Sequence, residues 1–345
     1  MTTIKDIARL SGYSIGTVSR VINQHSDVSP AARKKIEKII AQENFQPNSN
    51  AKLLKQQVKT SVIILVKGQM NIFLEVILED MQKILNESGE DASVTFLDEA
   101  ANEVEAAITQ CAERKPRGII FLGGNINYFK KKFDQIHVPS VLVTVPAAGL
   151  GYDNLSSYAT DDTAASAAAV EYLIRMGHTN IGIIGGSASI QRGQIGYRRL
   201  HGAMNMLKKN DIPFDIDKQY EPGRFSIESG YDAATTLLKR NKKLTALYCM
   251  SDIIAIGAVR AVMDLSMNVP EDISIIGYDG IEYTRYSVPR LATIQQDTSE
   301  LARKSVEDLL MRINYENRPA NHEMIPFRVL TGESIKDRKS KRGTA

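Results

Sequence analysis

Between residues 61 and 280, short aliphatic runs alternate with amphipathic stretches, and this alternation restricts the chain to very few architectures. SVIILV (61–66), SVTFL (93–97), GIIFLGG (118–124) and SVLVTV (140–145) read as strands, with helical patterns between them over about 73–88, 102–113 and 127–133. Aliphatic strands that carry little polar alternation are buried on both faces, as in a parallel sheet covered by helices. The rhythm then starts again. A helix over about 163–176, IGIIGG (181–186), helices over about 196–209 and 226–239, ALYCM (246–250), a helix over about 253–267 and ISIIGYDG (273–280) follow in order. TIQQD (293–297), a helix over about 299–315 and a strand over about 324–330 complete the pattern. The expectation is two doubly wound α/β subdomains, with the ligand position in the cleft that faces the carboxyl ends of both sheets.

The first 60 residues follow a different rule. In TIKDIARLSGYSIGTVSRVIN (3–23), Thr3 suits an N-cap, Ile4, Ile7 and Ala8 recur at helical spacing, and Asp6 stands in the first turn where the helix dipole favours negative charge. Gly12 ends that helix. Val18, Val21 and Ile22 form a second apolar stripe, which leaves Ile15, Gly16, Ser19, Arg20 and Asn23 on other faces. A small residue within the first helix, glycine at the turn and a branched aliphatic beneath the second suit a helix-turn-helix, whose second helix enters the major groove. Ser29 and Pro30 start a third helix with Ile36, Ile39 and Ile40 on one face, which completes a small domain near Phe45. NSNAKLLKQQ (48–57) is a linker by position, able to form a short helix only when packed against a partner.

Charge separates the same regions. Residues 1–60 carry 10 Lys and Arg against 4 Asp and Glu, residues 336–345 carry 5 against 1, and the middle carries 28 against 35. A basic head on an acidic body points to a polyanionic partner for the head alone. Two distant cysteines, Cys111 and Cys249, support neither a disulfide framework nor a zinc ribbon, and read as buried thiols. With no apolar run after the start and no stretch of membrane-spanning length, the expected compartment is the cytoplasm, with no membrane partner.

Read together, TIKDIARLSGYSIGTVSRVIN, FQPNSNAKLL, YLIRMGHTNIGIIGG, SDIIAIGAVRAV, VPEDISIIGYDG and VPRLATIQQD resemble the lactose-repressor (LacI/GalR) family of bacterial transcription regulators, over residues 3–335. The resemblance implies an N-terminal all-α helix-turn-helix headpiece (1–46) with a hinge helix (47–60), plus an α/β periplasmic-binding-protein-like core (61–335) of two doubly wound subdomains. These would comprise 61–160 with 297–323, and 161–296 with 324–335, followed by a basic disordered tail (336–345). It further implies a homodimer on a palindromic double-stranded operator, with a small-molecule effector in the core.

In the headpiece, Arg20 matches a family arginine that reads bases or contacts phosphate, and its guanidinium can pair with guanine O6 and N7. Ser14, Thr17, Ser19 and Asn23 suit phosphate contacts, which position a protein without specifying sequence. Ile15 either touches a thymine methyl or packs internally, and Gly16 permits close approach. In the hinge, Leu54 matches the leucine that family members wedge into a minor-groove step, with Asn48 and Ala51 similar to family hinge residues and Leu53 expected to pack.

In the cleft, polyol ligands need charged or amide groups for adjacent hydroxyls and an aromatic face for the C–H side of a ring. Arg199 and Asp279 match family ligand-holding residues, Ser251, Asp252 and Gln296 lie near the cleft in the family, and Phe73 is the expected aromatic. Of Asp161 and Asp162, one is expected to line the cleft and the other to cap a helix; Asp161 is taken as the effector residue. Asp252 is either a ligand group or a helix cap. Ala165 and Gly280 depart from common family residues, and Gly280 removes a hydroxyl acceptor.

The five histidines show no HExxH or triad context, and GGSASIQRG lacks both GxGxxG and the P-loop lysine. No catalytic residue, metal ligand or cofactor is expected. The expected function is a ligand-responsive repressor of a carbohydrate-utilisation operon, with a sugar or sugar derivative as effector. Alternatives are an activator, a regulator that answers to a partner protein, a sugar-binding transport receptor or a nucleotide-sugar enzyme.

Overall fold

The computed structural model describes residues 4–22, 28–43, 62–69, 71–186, 193–315 and 318–339. The chain forms two units, Met1–Lys59 and Thr60–Ala345. In the first, helices α1 (Ile4–Ser11), α2 (Ile15–Ile22) and α3 (Pro30–Gln42) enclose Ile7, Val18, Val21 and Ile36. Gly12 takes φ +74°, a left-handed conformation that a side chain would strain, and its N–H donates to the Ala8 carbonyl at 3.0 Å to close α1. Ser14 starts α2 by accepting the Thr17 N–H at 3.1 Å, and Ser29 starts α3 by accepting the Ala32 N–H at 3.4 Å.

The second unit holds two six-stranded sheets. In chain order it runs β1 (Val62–Lys67), α4 (Ile72–Glu87), β2 (Ala92–Leu97), α5 (Glu103–Arg114), β3 (Gly118–Leu122), α6 (Ile126–Lys132), β4 (Ser140–Val143) and β5 (Leu155–Ala159). Then come α7 (Asp162–Arg175), β6 (Ile181–Ile184), α8 (Ile195–Lys209), α9 (Ile216–Gln219), β7 (Tyr220–Glu221), α10 (Ile227–Arg240), β8 (Ala246–Cys249), α11 (Asp252–Asp264), β9 (Ser274–Asp279) and β10 (Ala292–Gln296). The chain closes with α12 (Thr298–Asn314), β11 (His322–Met324) and β12 (Phe327–Leu330).

The first sheet has the order β11-β5-β4-β3-β1-β2, all parallel, and the second β12-β10-β9-β8-β6-β7, in which only β12 is antiparallel. The chain passes between sheets after β5, β10 and β11. Helix α12 returns to the first sheet, where Leu301, Ala302, Val306 and Leu309 pack with Ile64, Ile77 and Met81. The aliphatic run of β1 is in the core, with Val62 to Val66 at most 1% exposed, whereas the edge strand β2 leaves Phe96 47% exposed.

Three local features differ from the sequence reading. Strand β5, LSSYA, has no aliphatic run to reveal it, yet all five residues are buried because it lies between β4 and β11. Its hydroxyls find partners: the Ala147 N–H donates to Ser157 Oγ at 2.9 Å and the Asn321 N–H to Ser156 Oγ at 3.0 Å. The strand expected over 324–330 is two strands, β11 on the first sheet and β12 on the second. Pro326 between them has no N–H for a ladder.

The tail also departs from expectation. Rather than being disordered from residue 336, it docks on the second sheet's subdomain as far as Lys339. The Lys336 N–H donates to Ser274 Oγ at 2.9 Å, the Arg338 N–H to the Met176 carbonyl at 2.8 Å, and the Lys336 carbonyl accepts from His178 Nε2 at 3.1 Å. Residues 340–345 lie outside the described residues.

Candidate functional site

On α2, Val18 and Val21 are buried while Ile15, Gly16 and Arg20 are exposed, so the helix presents one face to its own core and another outward. Ile15 is 46% exposed, which removes the internal-packing alternative. Ser14 Oγ and Thr17 Oγ1 lie 3.0 Å apart, so the hydroxyls expected to meet phosphate also serve the helix cap. Ser19 is half-buried beside them. Asn23, Asn48, Ala51 and Leu54 lie outside the described residues, as does Thr3.

The second unit contains a cavity of about 350 Å³ where the carboxyl ends of both sheets converge. Lys67 after β1, Asn71 and Phe73 at the start of α4, Asn125 after β3 and Thr144 after β4 line it from the first subdomain. Gly196 and Arg199 on α8, Arg224 and Phe225 after β7, and Asp279 at the end of β9 line it from the second. Gly196 sits where a Cβ would lie 2.1 Å from the Gly186 carbonyl oxygen, so only glycine lets α8 start this close to the strand end.

Arg199 is 4% exposed and stacks over the Tyr278 ring, with its guanidinium carbon 3.7 Å from the centroid. Its Nε donates to Asp162 Oδ1 at 2.8 Å, one NH donates to the Met250 carbonyl at 2.5 Å, and Asp279 Oδ1 lies 3.6 Å away. The Tyr278 hydroxyl donates to the same Asp162 oxygen at 2.9 Å. Burial disfavours the guanidinium charge, but Asp162, Tyr278 and Asp279 outweigh it and hold its pKa above the ordinary value. Burial also pushes the Asp279 carboxyl up to about 7, against the pull of Arg199 and of Gln296, whose Nε2 donates to Asp279 Oδ1 at 2.9 Å. On the facing side, Lys67 Nζ donates to Glu103 Oε2 at 2.5 Å and lies 4.7 Å from the Tyr128 ring centroid, while Glu103 Oε1 accepts the Asn125 N–H at 2.6 Å.

Of the expected effector residues, Phe73, Arg199 and Asp279 lie on this cavity, and Gln296 stands behind Asp279. Asp161 does not. Its carboxylate caps α7 by accepting the Thr163 and Ala164 N–H groups at 3.0 and 3.1 Å, and Asp162, one position on and 2% exposed, is the acid that meets Arg199. Ser251 and Asp252 are likewise used within the fold. Ser251 Oγ accepts the Ile254 N–H at 3.3 Å and so caps α11. Asp252 accepts the Gly280 and Ile281 N–H groups at 2.6 and 2.9 Å and the Thr293 hydroxyl at 2.6 Å, which ties α11 to the end of β9.

Sequence reasoning missed Lys67, Thr144, Arg224 and Phe225. A charge directly after the run SVIILV was a usable signal for Lys67, and the polar break in SVLVTV for Thr144; Arg224 and Phe225 sit in a loop without any pattern. Among the described residues no cluster of His, Cys, Asp and Glu could hold a metal ion, and no helix is long and apolar enough to cross a membrane.

A helix-turn-helix unit joined to a two-sheet ligand-binding core defines a DNA-binding regulator that senses a small molecule. The family model for bacterial regulatory proteins of the lacI family matches residues 3–48, and that for a periplasmic binding protein-like domain matches residues 170–335. The chain is 36% identical over 313 residues to the HTH-type transcriptional regulator MalR of Clostridium butyricum, covering 90% of this chain and 92% of that one. It is similar to the solved transcriptional regulator CelR–cellobiose complex, with a TM-score of 0.70 and 25% identity over 97% of this chain and 100% of that one. It also shares the fold of the lac repressor dimer bound to operator and the anti-inducer ONPF, with a TM-score of 0.69 and 23% identity over 97% and 99% of the two chains.

The chain belongs to the lacI family of bacterial regulatory proteins. It is a ligand-responsive, DNA-binding transcriptional regulator and not an enzyme.

Proposed function

We propose that the protein represses a carbohydrate-utilisation operon, binding a palindromic operator as a homodimer and changing its affinity when a sugar or sugar derivative enters the core cavity. The observation that carries this reading is the juxtaposition of Arg199 and Asp279 with the aromatic rings of Phe73 and Phe225 on one cavity. A guanidinium and a carboxylate 3.6 Å apart can bracket neighbouring hydroxyls, and aromatic faces suit the C–H side of a sugar ring. The cellobiose bound in the CelR complex, a protein of similar fold, supports the class of ligand.

On the DNA side, Arg20 is the base reader, Ile15 offers an apolar contact to a thymine methyl, and Ser14, Thr17, Ser19 and Asn23 hold phosphates. Asn48, Ala51 and Leu54 serve the hinge, with Leu54 as the minor-groove wedge. Ligand binding changes the angle between the two core subdomains and shifts the population that is competent for the operator.

The test is fluorescence anisotropy of the full-length protein on an operator duplex, titrated with saccharides. A sugar should shift operator affinity in the wild type. Arg199→Ala should remove that shift while the protein still binds the operator. A variant that keeps the full response would overturn the assignment of the cavity.

A further inference from the structure

We infer that this cavity selects an uncharged polyhydroxylated ligand over its phosphate esters, with Thr144 as a contact residue. The inference rests on the reading of the cavity as the effector site. Every cation that lines the cavity among the described residues is already committed to a carboxylate. Lys67 is paired with Glu103, and their side chains are 8% and 1% exposed. Arg199 is paired with Asp162, at 5% and 2%. Arg224, at the solvent side, is held by Glu99 at 2.8 Å and Asp98 at 3.3 Å.

Among the described cations, Lys67 or Arg199 could meet a phosphate only by leaving a buried carboxylate uncompensated, which is strongly unfavourable, and Arg224 only by giving up its weaker, exposed pairs with Asp98 and Glu99. A phosphate that met none of them would sit as an anion beside Asp279, whose one ion pair, to Arg199, is as long as 3.6 Å, and would oppose that carboxyl's ionisation.

What the unpartnered polar atoms at this site call for is a neutral hydrogen-bonding group rather than an anion. Thr144 is 4% exposed, lines the cavity, and its Oγ1 has no hydrogen-bond partner among the described residues. Its backbone is fixed at φ +73°, and its N–H is occupied by the Tyr158 carbonyl at 2.9 Å, so the hydroxyl alone is left to engage a ligand. Asp162 Oδ2, behind Arg199, is also buried without a partner. A ligand hydroxyl can either donate to or accept from Thr144, whereas a phosphate dianion set against it can only accept.

Calorimetric titration of the full-length protein with three matched pairs tests this: D-glucose and glucose 6-phosphate, D-ribose and ribose 5-phosphate, maltose and maltose 6′-phosphate. At least one neutral sugar should bind, with its ester weaker by roughly 10-fold or more, since like charges brought together in an interface cost several kcal/mol. Thr144→Val should weaken the neutral sugar by ~3- to 10-fold, the worth of a single neutral hydrogen bond; the ligand-free unfolding temperature controls for folding.

An ester that binds as tightly as its parent, and loses binding in Arg199→Ala, would overturn the charge selection and leave the effector site standing. Unchanged sugar binding in a folded Thr144→Val would overturn the contact. Binding by none of the six probes would overturn both the selection and the effector-site reading.

Discussion

Asp279 shows how one residue can be both legible in sequence and reshaped by the fold. It ends an aliphatic strand in GYDG, which marks it as a cleft group, but nothing local announces that it takes φ +116° and meets Arg199 and Gln296. Its carboxyl titrates near 7 in the fold because of burial, whereas an unfolded chain releases the same proton near 3.8. The unfolded state therefore ionises first as pH rises, and the Asp279 contribution to stability is lost between about pH 4 and about 7. Urea unfolding across that window should show a shallower decline in Asp279→Asn than in the wild type. Asp161 and Asp162 illustrate the opposite case. Two adjacent acids before a helix are equivalent in sequence, and only the helix phase decides that the first caps while the second reaches Arg199. For Arg20, exposed on the outer face of α2, replacement by alanine should cost operator preference by about 1–3 kcal/mol while salt-sensitive general binding persists, read by competition with unrelated duplex.

At the scale of elements, long amphipathic helices and aliphatic strands follow directly from periodicity, because burying an apolar face is what stabilises them. Elements held by tertiary hydrogen bonds escape that logic. Three of the five residues of strand β5 are serine or alanine, and β11 and β12 divide one apparent strand between two sheets. The docked tail is the clearest example, since basic residues without apolar period are anchored by backbone and side-chain hydrogen bonds. His178 is central to it: Nδ1 lies 3.0 Å from Thr245 Oγ1 and Nε2 3.1 Å from the Lys336 carbonyl. Burial pushes the imidazole pKa down to about 4. The unfolded chain takes this proton near 6.5 and the folded chain does not, so stability falls as pH drops from about 6.5 to about 4. His178→Gln, which can keep hydrogen bonds but cannot titrate, should show a smaller loss of urea midpoint between pH 7 and 4.5.

On the scale of the whole core, the three crossings after β5, β10 and β11 bring residues distant in sequence to one cavity. They also place an ion-pair clasp across it. Arg224, after β7 of the second sheet, reaches Asp98 and Glu99, after β2 of the first. These side chains are substantially exposed, so each pair is weak and screened by salt. Arg224→Ala should therefore change effector affinity by only a few-fold and should flatten its dependence on salt between ~50 and ~500 mM, measured by calorimetry. A salt dependence equal to that of the wild type would show that the clasp does not bias subdomain closure.

The sequence by itself determined the helix-turn-helix and the two runs of alternating strands and helices, which are written in local periodicity and turn residues, while resemblance to the family pointed to Phe73, Arg199 and Asp279 as cleft residues. Only the tertiary structure decided that Asp162 rather than Asp161 faces Arg199, that Ser251 and Asp252 bind backbone rather than line the cavity, and that Lys67 and Thr144 join it. The physical reason is that burial and pairing of polar groups depend on which strand ends converge, and those lie far apart along the chain.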